Sequence, residues 1–417
     1  MTDDHIPLRT TSAADFVAQG LADTLLADIA IRVQLSPTLH QLATERYRTL
    51  DHWIQREGSP LHGLVETTYA QGSMRIGATI NSRVTNDEFD IDAVTQLALA
   101  VTTPPSQVLD ILFDAVRDEP GSRYFGCTRR RSRCVTVSYK GGMHVDLTPA
   151  ILQVGTPPRQ SWIFEHESRR RFDLGTKLIA NPYGFAEWFK QQIPDDNDFS
   201  RWFLGRAQTY EERILAAEPV PPPEPVDQKS RVVVALQLLK RWRNVQYDKR
   251  RGRRPPSVVL SKLVADTAVE AARNGPGLLH VLLHLALAVL ADLERARLSR
   301  QLIHVANPVC PADVLTDRWP GTLDEQATFI TDVRNLVADL RALQQSSNID
   351  EIKGILVRLF GEAPALKAIE PHLKAIPRGP VRVTSTGGVI AGTAAAVHAN
   401  GRTMPRHTFH GDGEDGL

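Results

Sequence analysis

The segment Phe89, Asp90, Ile91, Asp92, Ala93, Val94 sets two carboxylates two residues apart inside an alternating, strand-like run. Successive side chains of a strand point to opposite faces, so both acids share one face while Ile91 and Ala93 turn toward a core. A third acid, Asp146, stands in a second alternating run, Met143, His144, Val145, Asp146, Leu147, Thr148. If these strands are neighbours, three carboxylates converge. At about 4 Å and an effective dielectric near 20, each like-charged pair repels by roughly 4 kcal/mol, so the cluster must recruit cations or take up protons. Oxygen-only ligands working beside phosphates suit Mg²⁺, or Mn²⁺, better than zinc. For Asp146 a plain ion pair with Arg129, Arg131 or Arg133 is the competing reading.

A carboxylate pair at this spacing arises readily by chance, and a second one occurs at Asp196 and Asp198. That copy follows Pro194 in a polar loop with no strand pattern to orient it, and it reads as a solvated turn or helix cap. Upstream of the first pair lies Tyr69, Ala70, Gln71, Gly72, Ser73, Met74, Arg75, Ile76, Gly77, a short strand entering a Gly-Ser turn and then a helix. Glycine lets the backbone approach a phosphate closely, and the serine hydroxyl with nearby N–H groups can hold phosphate oxygens. A phosphate cradle ahead of an acidic strand is what metal-assisted phosphoryl transfer requires.

The elements that must position these groups are an early pair of helices, a small mixed sheet and a later helical bundle. Apolar residues at three- and four-residue spacing predict helices over Ala14 to Ile31 and Leu39 to Gln55. Strands are predicted around Val65 to Ala70, Phe89 to Gln96, Arg133 to Tyr139 and Met143 to Leu152, the last two joined by a Lys140, Gly141, Gly142 turn. From Asn181 onward helices dominate, interrupted by Pro219, Pro221, Pro222, Pro223 and Pro225, a stiff extended connector. Helical periodicity resumes at Arg231 to Trp242, Pro256 to Arg273, Leu278 to Arg297, Leu323 to Gln345 and Ile349 to Phe360. After Pro377 the pattern fades into Gly, Thr and Ala, as in a flexible tail.

Whole-chain quantities exclude several classes of function. At 417 residues the chain exceeds what one core usually organises. Its formal charge of +1 excludes a histone-like binder, so any affinity for phosphates must come from local clusters of Arg and Lys. Cys127, Cys134 and Cys310 form neither a CxxC pair nor an even set, which points to reduced thiols in a cytosol rather than to disulfides or a zinc ribbon. The start, Met1 to Thr11, lacks the apolar stretch of a secretory signal. Leu278 to Leu293, the most apolar run, is interrupted by His280 and His284 and is too short for a bilayer, so it reads as a buried helix.

Gly72 and Ser73, the strand acids Asp90 and Asp92, and the later acid Asp146 resemble the signature of the DNA polymerase β-like nucleotidyltransferases. More narrowly, Gln71 to Ile80 followed by Asp87 to Val94 resembles the bacterial cGAS/DncV-like nucleotidyltransferases, which make cyclic di- or trinucleotides in antiphage (CBASS) signalling. Similar stretches recur at Asn181 to Phe189, Leu236 to Arg243 with Pro255, Pro256 and Ser257, and Asn307 to Trp319. The resemblance implies an α+β, two-lobed fold. Its parts are a nucleotidyltransferase core over 1–215, a Pro-rich connector over 216–230, a helical lobe over 231–375 and a tail over 376–417.

The resemblance further implies that Asp90, Asp92 and Asp146 hold metal ions, with Asp146 helping to activate the attacking ribose hydroxyl. Gln71, Gly72 and Ser73 would hold the triphosphate of ATP or another NTP, joined by Lys240 and Ser257 from the helical lobe. Without the resemblance, Lys240 beside Arg241 and Arg243 reads as a solvated basic helix face. Sibling chemistry, adding nucleotides to an RNA end or to a protein, is the alternative reaction. A non-catalytic nucleic-acid sensor is the alternative of another class, using Arg129 to Arg131 with Arg133, Arg169 to Arg171, and Lys249 to Arg254. Few aromatic residues interleave with these clusters, so stacking platforms for single strands are poorly supplied.

A cytoplasmic enzyme with a diffusible product acting on a downstream effector is expected, with no membrane and no long nucleic-acid substrate. Regulators implied by the resemblance are peptide-clasping HORMA proteins or E1/E2-like transfer enzymes acting through the tail. The latter favour a terminal glycine, whereas this chain ends Gly416, Leu417.

Overall fold

The computed structural model describes residues 20–81, 88–167, 175–215, 229–250 and 252–375, and three strand segments beyond them. The Pro-rich connector falls mostly outside the described residues, as do the start of the first predicted helix, Asp87 and Arg169 to Arg171. Two compact units divide the chain, residues 1–365 and 366–417.

Two helices open the first unit, α1 (Leu21–Val33) and α2 (Pro37–Ile54), the second started by a Ser36 hydroxyl that accepts from Leu39 N. Strand β1 (Val65–Ala70) runs into a single turn of helix, α3 (Gly72–Arg75), and then β2 (Phe89–Leu97) and helix α4 (Pro105–Arg117) follow. Five strands complete the sheet: β3 (Thr128–Arg130), β4 (Val135–Ser138), β5 (Met143–Leu152), β6 (Ser161–Glu165) and β7 (Thr176–Ala180). The order is β1-β2-β5-β4-β3, with β6 pairing β5 and β7 extending from β6. Only the β2–β5 pair is parallel within this sheet.

Alternation divides the sheet into two faces. Ile91, Ala93, Val145 and Leu147 are fully buried beneath α2 and α4, with Leu50, Ile54, Val108 and Leu112 completing that core. The acids, offset by one residue, turn to the other face.

Beyond the sheet, α5 (Pro182–Gln192) and α6 (Asn197–Leu215) lead to α7 (Arg231–Tyr247), followed by α8 (Ser257–Asp266), α9 (Ala268–Arg273) and α10 (Leu278–Leu298). A small hairpin, β8 (Ala306–Asn307) and β9 (Cys310–Val314), precedes α11 (Leu323–Gln345), α12 (Ile349–Phe360) and α13 (Glu362–Ala375). The fold is therefore α+β, a seven-stranded mixed sheet flanked by helices and followed by a helical region. Strands β3, β6 and β7 escaped the sequence reading because they are short and carry polar, basic or bulky residues on half-buried positions.

Helix α7 sits at the centre of the helical region, packed by α1, α8, α10 and α12. It is buried all round from Arg231 to Asn244. This corrects the solvated-face reading: Lys240, Arg241 and Arg243 are 2%, 1% and 3% exposed. Their polar ends serve backbone that would otherwise be orphaned. Gln237 donates to Thr79 O at 3.1 Å, Lys240 to Ala78 O at 2.5 Å and Arg241 to Phe360 O at 3.0 Å.

In the second unit, within the segment read as a flexible tail, strand β10 (Val381–Thr384) pairs antiparallel with both β11 (Val389–Ala391) and β12 (Gly401–Thr403). No described helix is long and apolar enough to cross a membrane.

Candidate active site

Register places the three acids. In the parallel β2–β5 pair Asp92 stands opposite Asp146 and Asp90 opposite His144, so all three carboxyl groups rise from one face of two adjacent strands. Asp146 accepts from the Thr136 hydroxyl at 2.5 Å, across the β4–β5 pair in which these residues are partners. No salt bridge ties Asp90, Asp92 or Asp146 to an arginine among the described residues. Of the arginines in the competing ion-pair reading, Arg133 pairs with Glu165 and Asp317 instead, and Arg131, which lines the cavity beside Asp146 and draws its pKa down, donates to Thr136 Oγ1 rather than to the carboxylate. The second acid pair keeps its plain role: Asp196 accepts from Arg231 N and Nε at 3.2 and 2.6 Å, and Asp198 pairs with Arg201.

The Gly-Ser turn lies against the acids. Gln71 N donates to Asp92 O at 2.8 Å, tying the end of β1 to β2. Gly72 follows at φ +59°, and a Cβ there would meet Asp92 Oδ2 at 2.8 Å. Both the backbone conformation and the close approach therefore require glycine. Ser73 Oγ accepts from Lys240 Nζ at 2.6 Å, so a residue 167 positions away completes the turn. Gln71 Nε2 reaches Thr148 Oγ1 at 3.3 Å on β5.

Two cavities meet at the carboxylates. One, of about 330 Å³, is lined by Gln71, Gly72, Ser73, Asp92, Thr148 and Ser257, among others. The other, of about 310 Å³, is lined by Asp90 and Asp146 with Glu88, Arg131, Thr136, Ser138, His144 and Arg254. Every sequence-predicted site residue except Lys240 thus lines one cavity or the other, and Lys240 lies behind Ser73. The sequence missed Thr136 and Arg243, whose signals are weak. Thr136 is an ordinary strand residue, and Arg243 looks like one more helix-surface cation.

Electrostatics match the crowding. Burial, then repulsion from Asp146 and Asp90, pushes the Asp92 carboxyl up to about 7 although part of it opens onto a cavity, while Lys240 opposes the shift. Burial likewise raises Asp146, and Asp90 adds to this, against the Thr136 hydrogen bond. On the other side, burial and the Arg243 charge bring the Lys240 ammonium down to about 7, with Asp92 pulling it back. Arg243, brought down to about 9 chiefly by burial, donates to Pro255 O at 2.8 Å and to Ser257 Oγ at 3.0 Å.

The acids thus open onto the two cavities, while Lys240 and Arg243 stand behind Ser73 and Ser257 of the first. As placed, no three His, Cys, Asp or Glu among the described residues form a closed metal-binding group. An all-oxygen set whose members repel one another fits a hard divalent ion that takes its remaining ligands from substrate phosphates and water.

Residues 22–192 match the family described as the Second Messenger Oligonucleotide or Dinucleotide Synthetase domain. The chain is 34% identical over 386 residues to the cyclic dinucleotide synthase CdnG of Bradyrhizobium diazoefficiens, covering 90% of each. It is 24% identical over 398 residues to the c-di-GMP synthase of Roseivirga ehrenbergii, covering 94% of this chain and 97% of that one. The structure of Bradyrhizobium diazoefficiens CdnG in complex with GTP superposes with a TM-score of 0.73 at 33% identity, covering 84% of this chain and 98% of that chain. For E. coli MS115-1 CdnC with ATP the TM-score is 0.57 at 16% identity, covering 81% and 96%, a likeness of fold. A CdnC:HORMA complex from the same source gives 0.53 at 16% identity, covering 79% and 93%.

Proposed function

The chain belongs to the bacterial cGAS/DncV-like nucleotidyltransferases, and from that membership and the geometry of its two cavities we propose that it condenses nucleoside triphosphates into a cyclic dinucleotide, releasing pyrophosphate. The observation that carries this reading is the register of Asp92 against Asp146 with Gly72 pressed on Asp92, which sets a phosphate turn directly on a carboxylate cluster. One relative is solved in complex with GTP and another is a c-di-GMP synthase, so guanine nucleotides are the first substrates to test beside ATP.

In this reading Gly72, Ser73 and Gln71 receive the triphosphate of one nucleotide, and Lys240 and Ser257 hold their side of it. Asp90, Asp92 and Asp146 would hold Mg²⁺, or Mn²⁺, which lowers the pKa of an attacking ribose hydroxyl and neutralises phosphate charge. Asp146, fixed by Thr136, faces the second cavity, where the attacking nucleotide's 3′ or 2′ hydroxyl is presented. Protein groups otherwise position the reactants, which suffices because phosphoryl transfer depends chiefly on alignment and charge. Lys240 keeps Ser73 aimed at the cavity and supplies positive charge to the departing pyrophosphate.

The test is incubation with mixed ATP, GTP, CTP and UTP plus Mg²⁺, followed by pyrophosphate assay and mass spectrometry. A small nuclease-resistant product is expected. Labelled RNA or protein in place of such a product would favour the sibling chemistry, and tight, salt-dependent binding of long nucleic acid without turnover would favour the sensor. Against the sensor, Arg130, Arg133 and Arg250 are already paired with Asp110, Glu165 and Asp332. Antiphage signalling from the cytoplasm, through a diffusible product and an effector, is the setting this chemistry serves. A HORMA-type regulator binding the segment 376–417 belongs to the same proposal, and copurification with and without that segment tests it.

A further inference from the structure

The cavity that holds Gly72 and Ser73 carries at its wall two groups that the phosphate chemistry does not use, Asp313 and Arg133. Asp313, on β9, is anchored through one oxygen only. Asn181 N and Asn307 Nδ2 both donate to Oδ2, at 3.0 and 2.9 Å, while Oδ1 accepts no hydrogen bond among the described residues. Two donors on one oxygen fix the plane of the carboxylate and leave the other oxygen available to the cavity. Arg133 is similarly half used. Its Nε and Nη2 donate to Glu165, and Nη2 also to Asp317, whereas Nη1 has no acceptor among the described residues. The two side chains attract one another electrostatically without forming an ion pair. The same cavity also has apolar lining from Ile163, Phe185 and Leu315.

A cavity wall offering one fixed acceptor, one fixed donor and apolar sides is a base-reading arrangement. Guanine presents an acceptor at O6 beside donors at N1–H and the 2-amino group, and adenine presents the reverse, a donor at N6 beside an acceptor at N1. The carboxylate oxygen can take N1–H and the 2-amino group, and the guanidinium can give to O6. With adenine, an N–H would face the guanidinium and a lone pair would face the carboxylate, leaving both protein groups desolvated and unpaired. We propose that Asp313 and Arg133 are the base-selecting residues of this cavity, and that the nucleotide whose phosphates rest on Gly72 and Ser73 is a guanine nucleotide. The inference rests on the synthase reading for the phosphate end of the cavity and adds the residues that choose the base.

The experiment measures binding, so it does not depend on turnover. Isothermal titration of the full chain with Mg²⁺ and the non-hydrolysable α,β-methylene analogues of GTP, ITP and ATP gives three dissociation constants. ITP keeps O6 and N1–H but lacks the 2-amino group. The wild type should bind the GTP analogue at least about tenfold tighter than the ITP analogue and about a hundredfold tighter than the ATP analogue.

Asp313→Asn, which keeps an oxygen for Asn181 and Asn307 but turns an amide N–H₂ to the cavity, should bring the GTP to ITP ratio close to one. A residue that merely ties β9 to α5 would weaken all three analogues alike and leave the ratios unchanged, and that result would overturn the proposal. Should Asp313→Asn not fold, the wild-type ratios decide: equal affinity for the GTP and ITP analogues, or preference for the ATP analogue, refutes base selection here. Failure of the synthase reading is separate, since it would appear as absence of pyrophosphate release from any NTP while the binding ratios stand.

Discussion

The acidic strands and the basic helix bury charge in contrary ways. On β2 and β5 each acid alternates with a core residue, so Ile91, Ala93, Val145 and Leu147 anchor the strands while Asp90, Asp92 and Asp146 are pushed together by register. On the strands the Thr136 hydrogen bond to Asp146 offsets only part of their repulsion. On α7 there is no outer face, and Lys240, Arg241 and Arg243 are enclosed with Val234, Leu238 and Leu239. Each cation there is satisfied by neutral acceptors, chiefly backbone oxygens of Ala78, Phe360 and Pro255. The strands therefore hold charge ready for an external cation, and the helix holds charge ready for an external anion. In the proposed function, a nucleoside triphosphate with its divalent ion would answer both.

The contrast can be broken from either side. The largest effect is expected for Asp92→Asn, which should lower pyrophosphate release by at least about a thousandfold while raising the metal-free melting temperature, because a crowded, buried carboxylate is removed. Turnover within tenfold of wild type would remove Asp92 from the chemistry. Lys240→Met attacks the opposite side. It should slow turnover by about a hundredfold and lower the melting temperature, since Ala78 O and Ser73 Oγ lose their buried donor at a cost of about 1–3 kcal/mol.

Gly72→Ala addresses the seam between the two regions. The left-handed backbone costs a non-glycine residue about 1–2 kcal/mol, and the new methyl pushes Asp92 aside, so turnover should drop by about tenfold with the overall fold retained by circular dichroism.

Titration sharpens the comparison further. The folded Asp92 carboxyl sits above its ordinary value of 3.8, so the folded state binds more protons than the unfolded one between about 4 and 7, and stability falls as pH rises through that window. The folded Lys240 ammonium sits below its ordinary 10.5, so the unfolded state binds more protons between about 7 and 10.5, and stability rises with pH there. The pair's contribution to metal-free stability should therefore be least near pH 7. Melting curves with a chelator should show a shallower acid-side slope in Asp92→Asn, with the share of the raised Asp146 remaining, and a shallower alkaline-side slope in Lys240→Met. The smallest effect belongs to the other acid pair. Asp198→Asn removes a mostly exposed ion pair with Arg201 and should change stability by no more than about 0.5 kcal/mol and leave turnover as it was.

The strand acids were legible because a period of two is local. Phe89 to Leu97 and Met143 to Leu152 declare their faces without reference to the rest of the chain, and β5 has the predicted bounds. The Gly72 turn was legible for the same reason. The polar side chains of α7 were not, because Lys240, Arg241 and Arg243 look alike whether they meet water or the carbonyls of Ala78, Phe360 and Pro255. Asp313 was equally silent, and Arg133 read only as an ion-pair partner or one cation of a basic cluster, because the neighbours of both lie far away in sequence.

By itself, the sequence determined which strands alternate, where the Gly-Ser turn falls and that two of the acids share a face, since these follow from side-chain period and glycine's freedom at positive φ. Only the tertiary structure decided that β2 and β5 are parallel neighbours, that Lys240 reaches Ser73 across 167 residues, and that Asp313 and Arg133 wall the same cavity. Those facts depend on strand pairing and on burial of polar groups against distant backbone, and neither leaves a periodic trace in the chain.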